Sequence, residues 1–508
     1  ISGKILSNTQ FKRMTVKAER KSAAGWRLEN SYARLPEVLH ARAAPVPVAR
    51  PEMVLFNEKL AVELGLDPGA LAEESGAEIF AGNRLPDGAK PIAQAYAGHQ
   101  FGHFTNLGDG RAVLLGEQIT PQGARLDIQL KGSGRTPYSR RGDGRAALGP
   151  MLREYIVSEA MHALGIPTTR SLAVVTTGQE IAREEMLPGA VLTRVAASHI
   201  RVGTFEYANA TGDGAALEAL TRYTLQRHYA ELCGADNAAL ALFEGVLERQ
   251  ARLIAQWVCV GFVHGVMNTD NMALSGETID YGPCAFIDIH DPATVFSSID
   301  RNGRYAYGNQ PDIGHWNLAR LAEALLPLID KDKDKAVARA EGALGKFPAR
   351  FRAHYTAGLR AKLGLLTAED GDFALAQEFL DGMKTAEADF TLSFAALTGA
   401  VESGRLSGPL FSGGAPLRTW HQRWRARLER EQKVPSEVVA AMRRANPVLI
   451  PRNYRVEEAL AAAVAGDLSV LHRLLDTLRA PFAETPANQP YRAAPPPTGQ
   501  LYRTFCGT

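Results

Sequence analysis

The chain has 508 residues, of which 45% are hydrophobic and 22% are charged, and this composition predicts a globular protein with a large core and two or three lobes. Its formal net charge of +2 gives no overall signal for a polyanionic partner, and no apolar run approaches the ~20 residues of a membrane-spanning helix. We therefore expect neither nucleic acid nor a membrane among its partners.

The cysteines are widely scattered and include no C-x-x-C pair; they are Cys233, Cys259, Cys284 and Cys506. This spacing argues against a zinc site and against the disulfide framework of a small secreted protein. We therefore expect the protein to lie in the reducing cytoplasm.

Residues 1–24 are basic and have no apolar segment of the kind that a secretory signal needs. Because the sequence begins at Ile1 and Met14 can serve as a natural start, we expect this leader to be non-native or disordered, with a transit peptide as the weaker alternative. Residues 25–195 are predicted to form an N-terminal segment and a small, β-rich lobe.

A glycine-rich turn lies between β-forming residues in the segment Asn106–Gly116. Gly108 and Gly110 allow positive φ and let backbone N–H groups approach a ligand closely. A G-x-G pattern alone usually marks a plain hairpin turn, which remains the alternative. It is not the dinucleotide fingerprint, because the third glycine and the following helix pattern are missing.

The alternating segment Leu126–Lys131 predicts a strand that ends at Lys131. The following loop, residues 132–145, is rich in glycine and arginine, which favours phosphate binding. Pro150 then lies in the first turn of a predicted helix that carries Glu154. A strand lysine and a helix glutamate form the ion pair of a kinase N-terminal lobe, and we favour that pair over two unrelated surface charges.

Two further strands are predicted at residues 171–176 and 190–195, and the second carries Arg194. Arg201 follows seven residues later. Arginine recognises phosphate through planar, bidentate hydrogen bonds, although two surface arginines are also an ordinary occurrence.

The most informative stretch is His264–Asn271, which is followed by Asp280-Tyr281-Gly282. Its oxygen-bearing side chains suit Mg²⁺, and the order matches the kinase motifs H-R-D-L-x-x-x-N and D-F-G. On this overlay Asn271 falls on the metal-binding asparagine, but Val266 falls on the catalytic aspartate. An acid lies instead at Asp270. A solvated acidic loop is the alternative for such a D-N pair.

Residues 196–485 are predicted to form a large helical lobe that contains this loop, with helical patterns at 215–233, 238–260, 373–383, 386–397 and 457–478, and a core helix from Trp316. Residues 486–508 are predicted to form a flexible tail that includes Cys506, and Tyr491–Pro497 within it reads as extended and proline-rich.

From Trp26 to Thr508 the chain resembles the SelO (YdiU) family of kinase-like proteins. The motifs that carry the resemblance are Tyr96–Gly102, Leu107–Arg111, Leu130–Gly132, Thr136–Arg140, His264–Asn271, Asp280–Pro283, Asn309–Pro311, Trp316–Arg320, Asn446-Pro447 and Pro451–Tyr454. The resemblance implies an α+β, two-lobed protein-kinase-like fold with additional C-terminal helices, in which ATP binds in a reversed orientation.

The activity implied is that of a protein adenylyltransferase, which moves AMP from ATP to Ser, Thr and Tyr hydroxyls of proteins and releases pyrophosphate; bacterial members also transfer UMP from UTP with manganese. The resemblance assigns Asp270 as the proton acceptor and Glu154 as the residue that orients Lys131. It assigns Mg²⁺ or Mn²⁺ to Asn271 and Asp280. The implied ATP-binding residues are Gly108, Gly110, Arg111, Lys131, Asp143, Gly144, Arg194, Arg201 and Asp280.

The resemblance implies a redox role for Cys506, with Cys284 as one conceivable partner, and an exposed cysteine without a role is the alternative. Two other functions remain open at this point. A nucleotide-binding pseudokinase scaffold without chemistry is suggested by Val266, and a conventional phosphotransferase by the kinase motifs.

Overall fold

The computed structural model describes residues 24–406, 415–496 and 502–504. Within these ranges the protein combines a large antiparallel sheet with many helices. The strands are β1 (Leu28–Glu29), β2 (His40–Arg42), β3 (Glu52–Phe56), β4 (Ile92–Gln94), β5 (Ala97–Gln100), β6 (His103–Asn106), β7 (Ala112–Ile119), β8 (Arg125–Lys131), β9 (Ala146–Ala147), β10 (Arg170–Ala182), β11 (Met186–Ala196), β12 (Phe262–Val263) and β13 (Ala285–Phe286).

Nine of these strands, counted over the described ranges, form one sheet in the order β2-β4-β7-β8-β11-β10-β3, with β1 beside β7 and β9 beside β11. The central strands are buried along nearly their whole length because helices cover both faces of the sheet. The sequence-predicted strands at 126–131, 171–176 and 190–195 are confirmed as β8, β10 and β11.

The helices are α1 (Glu58–Glu63), α2 (Pro68–Leu71), α3 (Glu74–Ala81), α4 (Leu148–Ala163), α5 (Val202–Ala210), α6 (Gly214–His228), α7 (Ala238–Val260), α8 (Gln310–Ile329), α9 (Lys333–Leu344), α10 (Phe347–Leu363), α11 (Asp372–Thr385), α12 (Phe390–Ser403), α13 (Ala415–Arg430), α14 (Pro435–Ala445), α15 (Asn453–Val464), α16 (Ser469–Leu478) and α17 (Gln489–Arg492). Across the described ranges, none of them is long and apolar enough to cross a membrane.

The helical part of the molecule is built around α7, which has 23 residues and buries one long apolar face. Its N-cap Asn237 accepts a hydrogen bond from the backbone N–H of Leu240, and Gly261 ends it in the left-handed conformation that glycine adopts without steric cost. The short ladder β12–β13 follows, and the loop between these two strands carries Asp270, Asn271 and Asp280. The chain after α7 therefore brings this loop to the end of β8, where Asp280 contacts Lys131.

Two helices near the carboxyl end support the helix that carries Glu154. Apolar side chains of α15 and α16, among them Leu460 and Leu474, share one buried cluster with Leu152 and Ile156 of α4. Burying such side chains contributes roughly 1.5–3 kcal/mol each. This packing holds α4 against β10 and β11.

Several sequence expectations were wrong in detail. Residues 457–478 do not form one helical stretch, because Gly466 has φ of +94° and separates α15 from α16. The core helix begins at Gln310 rather than at Trp316, with Pro311 in its first turn. Tyr491 belongs to the short helix α17 rather than to an extended segment.

The glycine-rich segment 106–116 is not a hairpin turn. It connects β6 to β7, but β6 pairs with β5, whereas β7 pairs with β8. Within it Gly108 has φ of +114°, as expected, whereas Gly110 does not adopt positive φ. An added Cβ at Gly110 would lie 3.0 Å from the carbonyl oxygen of Tyr138, so close backbone approach explains this glycine better than φ does.

Candidate active site

Four predicted site residues form one buried ion cluster. Lys131 Nζ lies 2.7 Å from Glu154 Oε2 and 2.5 Å from Asp280 Oδ1. Arg194 Nη2 lies 2.6 Å from Glu154 Oε1 and 3.0 Å from Asp280 Oδ1. Each carboxylate thus contacts both cations, and the predicted Lys131–Glu154 pair is confirmed as a contact.

The sheet and α4 bring these residues together. Lys131 is the last residue of β8, and Arg194 lies on the neighbouring strand β11 in register with Gln129. Glu154 projects from α4, and only 2% of its side chain is exposed. A buried carboxylate needs paired charges to remain ionised, and the two cations supply them.

Asp280 adopts φ of +68°, a left-handed conformation that is uncommon for residues other than glycine. Burial disfavours its charged form, but the attraction of Lys131 and Arg194 outweighs burial and holds the pKa of Asp280 well below its usual range. The carboxylate is therefore ionised, and it faces the cleft described below.

The loop of residues 268–271, here called the catalytic loop, contains a short 3₁₀ turn at Thr269–Asn271. Asn271 Nδ2 donates to the carbonyl oxygen of Val266 at 2.9 Å, while its Oδ1 is buried and has no hydrogen-bond partner among the described residues. Asp270 is also buried, and within the same ranges its Oδ1 lacks a partner. Burial raises the pKa of Asp270 to about 7, even though Arg201 opposes the shift.

Arg201 lies at the N-terminal end of α5, directly beneath the catalytic loop. Its Nη1 donates to the carbonyl oxygen of Asp270 at 3.1 Å, and its Nη2 lies 3.8 Å from Asp109 Oδ1. The guanidinium also stacks on the ring of Tyr96 at 4.3 Å. Burial raises the pKa of Asp109 to about 6, and Arg201 opposes that shift.

A cleft of about 630 Å³ opens above this ion cluster. The sequence-predicted residues that line it are Gly108, Gly110, Arg111, Asp143, Gly144, Asp270 and Asp280. Lys131, Arg194 and Arg201 contact Asp280 or Asp270 from behind the lining. Glu154 lies one step further back and contacts Lys131 and Arg194. The predicted redox residue Cys506 lies outside the residues that the structure describes.

Hydroxyl groups fix the glycine-rich segment over the cleft. Thr136 Oγ1 donates to the carbonyl oxygen of Asp109 at 2.6 Å, and Ser139 Oγ donates to that of Gly110. The ring of Tyr138 packs so closely on Gly108 that an added Cβ would lie 2.4 Å from it. The sequence marked Thr136–Arg140 as a motif but gave no role for these hydroxyls.

Sequence reasoning also missed two other contacts. Gly98 of β5 packs directly on the catalytic loop, and an added Cβ would lie 2.1 Å from Asp270 Oδ1. Arg183 binds Asp143 through two contacts of 2.9 and 3.1 Å at the mouth of the cleft. Both contacts join residues that lie far apart in the sequence, so no local pattern could reveal them.

The donor set suits a hard cation that keeps part of its coordination for phosphate and water. Asn271 offers an unpartnered buried oxygen and Asp280 an ionised carboxylate, which are ligands that Mg²⁺ and Mn²⁺ accept. No group of three or more His, Cys, Asp or Glu side chains suited to a metal occurs in the described ranges. Two protein ligands are nevertheless usual for a cation that is held largely by nucleotide phosphates.

The chain matches a family of known proteins. The family model described as "Protein adenylyltransferase SelO" matches residues 26–479. The chain belongs to the SelO family.

SelO-family relatives match along almost the whole chain. A protein of Geobacillus kaustophilus named "Protein nucleotidyltransferase YdiU" is 60% identical over 486 residues, which cover 96% of this chain and 100% of the relative. A protein of the same name from Bacillus cytotoxicus is 57% identical, and the match covers 97% of this chain and 100% of the relative. Another from Syntrophotalea carbinolica is also 57% identical, and the match covers 95% of this chain and 98% of the relative. The resemblance inferred from the motifs is confirmed, and the chain is an enzyme of the nucleotidyltransferase class.

Proposed function

We propose that this SelO-family enzyme transfers AMP from ATP to Ser, Thr or Tyr hydroxyls of proteins and releases pyrophosphate. The observation that carries the proposal is the identity of the residue at the kinase base position. Val266 occupies it and offers only a backbone carbonyl, which Asn271 already uses. The nearby acid, Asp270, lies instead in the cleft with one carboxylate oxygen unpartnered among the described residues.

The fold that we propose for this activity is the two-lobed kinase-like fold with additional C-terminal helices. It is supported by the Lys131–Glu154 ion pair between a strand and a helix of the sheet region, and by the loop with Asn271 and Asp280 in the helical region. We further propose that ATP binds in the reversed orientation, so that its terminal phosphates lie deepest, against the buried cations.

In this arrangement Lys131, Arg194 and Arg201 hold the phosphates. Glu154 orients the first two of these cations, since both contact its carboxylate. The backbone at Gly108, Gly110 and Gly144, with Arg111 and Asp143, forms the outer wall of the nucleotide site. Fixed cations of this kind stabilise charge that develops on a leaving pyrophosphate, and they need no reorganisation at the moment of reaction.

Asn271 and Asp280 would hold Mg²⁺ or Mn²⁺, which neutralises charge on the phosphate oxygens when it is bound. Asp270 would accept the proton of the acceptor hydroxyl, whose oxygen forms a bond to the α-phosphorus while the bond from that phosphorus to pyrophosphate breaks. A pKa of about 7 suits a base that works near neutral pH.

Two labelled forms of ATP test the proposal. Label in the α-phosphate should appear on protein in the presence of Mg²⁺ or Mn²⁺, label in the γ-phosphate should not, and Asp270→Ala should lose the α-label. Label from the γ-phosphate, lost in Asp270→Ala, would restore the conventional phosphotransferase. Nucleotide binding with no label under any metal would favour the pseudokinase scaffold, and UTP with Mn²⁺ tests transfer of UMP.

We also propose a redox role for Cys506. Thr504 Oγ1 donates to the carbonyl oxygen of Pro283 at 2.7 Å, and Pro283 precedes the buried Cys284. Cys506 is two residues from Thr504 in the sequence, which supports Cys284 as a partner. Mass mapping of the oxidised protein should show a Cys284–Cys506 disulfide, and two free thiols would refute the pairing.

A further inference from the structure

The hairpin β5–β6 lies beside the catalytic loop and outside the large sheet. The backbone N–H of His99 donates to Thr269 Oγ1 at 2.7 Å, and that of Phe101 donates to Asn268 Oδ1 at 3.1 Å. Gln100 lines the same cleft as Asp270. The hairpin therefore lies directly beside the loop that carries Asp270, the proposed acceptor of the hydroxyl proton.

The outer side of the hairpin packs into a cluster of aromatic and arginine side chains. The imidazole of His99 packs edge-on against Phe104 at 5.4 Å and against Trp316 of α8 at 5.3 Å, and its Nδ1 contacts Glu206. Phe104 is 47% exposed although it is a large hydrophobic residue. The guanidinium groups of Arg304 and Arg320 each lie 4.8 Å from the centre of the Trp316 ring. We call His99, Phe104, Arg304, Trp316 and Arg320 the hairpin platform.

The charges on the platform are not balanced within the described chain. Arg320 is paired with Glu323 at 2.6 Å. Among the described residues, no carboxylate lies within ion-pair distance of Arg304, and its buried Nε has no hydrogen-bond partner there. The neighbouring acid, Asp300, instead accepts hydrogen bonds from the backbone N–H groups of Arg304 and Tyr305. A partly buried guanidinium without a counter-ion is suited to bind an anion that comes from outside the chain.

Arg304 neither lines the cleft nor, among the described residues, forms a hydrogen bond or ion pair with a lining residue, whereas the three cations assigned to the phosphates each contact Asp270 or Asp280. We therefore assign Arg304 to an anion other than the nucleotide. An exposed aromatic ring such as that of Phe104, close to an arginine, supplies apolar contact beside bidentate recognition of a carboxylate. A polypeptide segment with Asp or Glu beside its hydroxyl residue can make both the apolar contact and the arginine–carboxylate contact. One uncompensated arginine does not provide the row of cations that tracks a nucleic-acid backbone.

We propose that the hairpin platform docks the acceptor polypeptide and that Arg304 selects acceptors with a carboxylate close to the hydroxyl that is modified. This inference rests on the proposed transfer to protein hydroxyls. It adds the acceptor class to that proposal.

The test compares two synthetic peptides of equal length, each with one serine, flanked by glutamates in one and by lysines in the other. Binding of dye-labelled peptides is measured by fluorescence anisotropy without ATP, and labelling is measured with α-labelled ATP and Mg²⁺. The glutamate peptide should bind on the order of tenfold more tightly, because a hydrogen-bonded arginine–carboxylate pair contributes that much. Arg304→Gln should remove this preference and leave the KM for ATP unchanged.

Two further variants show whether a change in peptide binding comes from the platform itself or from a general defect in folding. Arg222→Gln is the control, because Arg222 is an exposed arginine on α6 that pairs with Glu218 away from the platform, and this variant should keep the full preference. Phe104→Ala removes only an exposed ring and should weaken binding of both peptides by a similar factor of a few.

Equal binding of the two peptides to the wild-type protein would overturn the proposal, and so would a preference that persists in Arg304→Gln. The proposal would also be overturned, in favour of nucleic acid, if a single-stranded oligothymidylate displaced the dye-labelled peptide at a lower concentration than the unlabelled glutamate peptide does. Because binding is measured without ATP, these outcomes differ from absence of any α-label, which would refute the transfer activity instead.

Discussion

Replacing Gly98 with alanine tests whether the position of Asp270 limits the reaction. The added Cβ would lie 2.1 Å from Asp270 Oδ1 and 2.7 Å from its Cγ, whereas ordinary contact begins at 3.4 Å. The carboxylate must therefore move by about 3.4 − 2.1 = 1.3 Å, or the hairpin must shift by the same amount. A misplacement of about 1 Å can reduce catalysis roughly 100-fold. We expect a loss of that order in kcat for AMP transfer.

The assay follows incorporation of α-labelled ATP into protein, and calorimetry measures ATP binding in the same preparation. ATP affinity should stay close to that of the wild type, because Gly98 is not among the cleft-lining residues. Gly149→Ala is the matched control, since nothing lies within 4 Å of an added Cβ there and alanine suits the helix α4. Transfer by Gly98→Ala at the wild-type rate would refute the reasoning that Asp270 must hold its observed position.

Three further predictions concern the charged groups. Glu154→Gln should lower the free energy of unfolding by about 3–5 kcal/mol in urea titrations, because it leaves two buried cations short of a counter-charge; an unchanged stability would contradict this account of the cluster. Asp280→Ala should abolish metal-dependent nucleotide binding and Asn271→Ala should weaken it in calorimetry with Mg²⁺, and normal affinity in Asp280→Ala would remove that residue from the site. Burial raises the pKa of Glu277 from 4.5 to about 7, so its stabilising contribution is present below pH 4.5 and is lost as the pH rises through 7. Between pH 4.5 and 7 the wild type should therefore lose free energy of unfolding relative to Glu277→Gln. Parallel pH profiles of the two proteins would contradict the shift.

Local sequence patterns predicted the parts of the site that depend on neighbouring residues. The alternation of Leu126–Lys131 predicted β8, and the helical spacing after Pro150 predicted the helix that carries Glu154. The spacing of His264, Asn271 and Asp280 predicted the loop beside the cleft. Such patterns succeed because side chains two to four residues apart decide which face of a strand or helix is buried.

Composition and motifs thus determined the mixture of strands and helices, the family and most of the residues that meet at the cleft. Tertiary structure alone decided that Arg194 shares the carboxylates of Glu154 and Asp280, that Gly98 presses on Asp270, and that Arg304 lacks a counter-charge in the described chain. The physical reason is that these contacts join residues that are distant in sequence. Their burial and charge balance depend on how whole elements pack together, and no local periodicity encodes that packing.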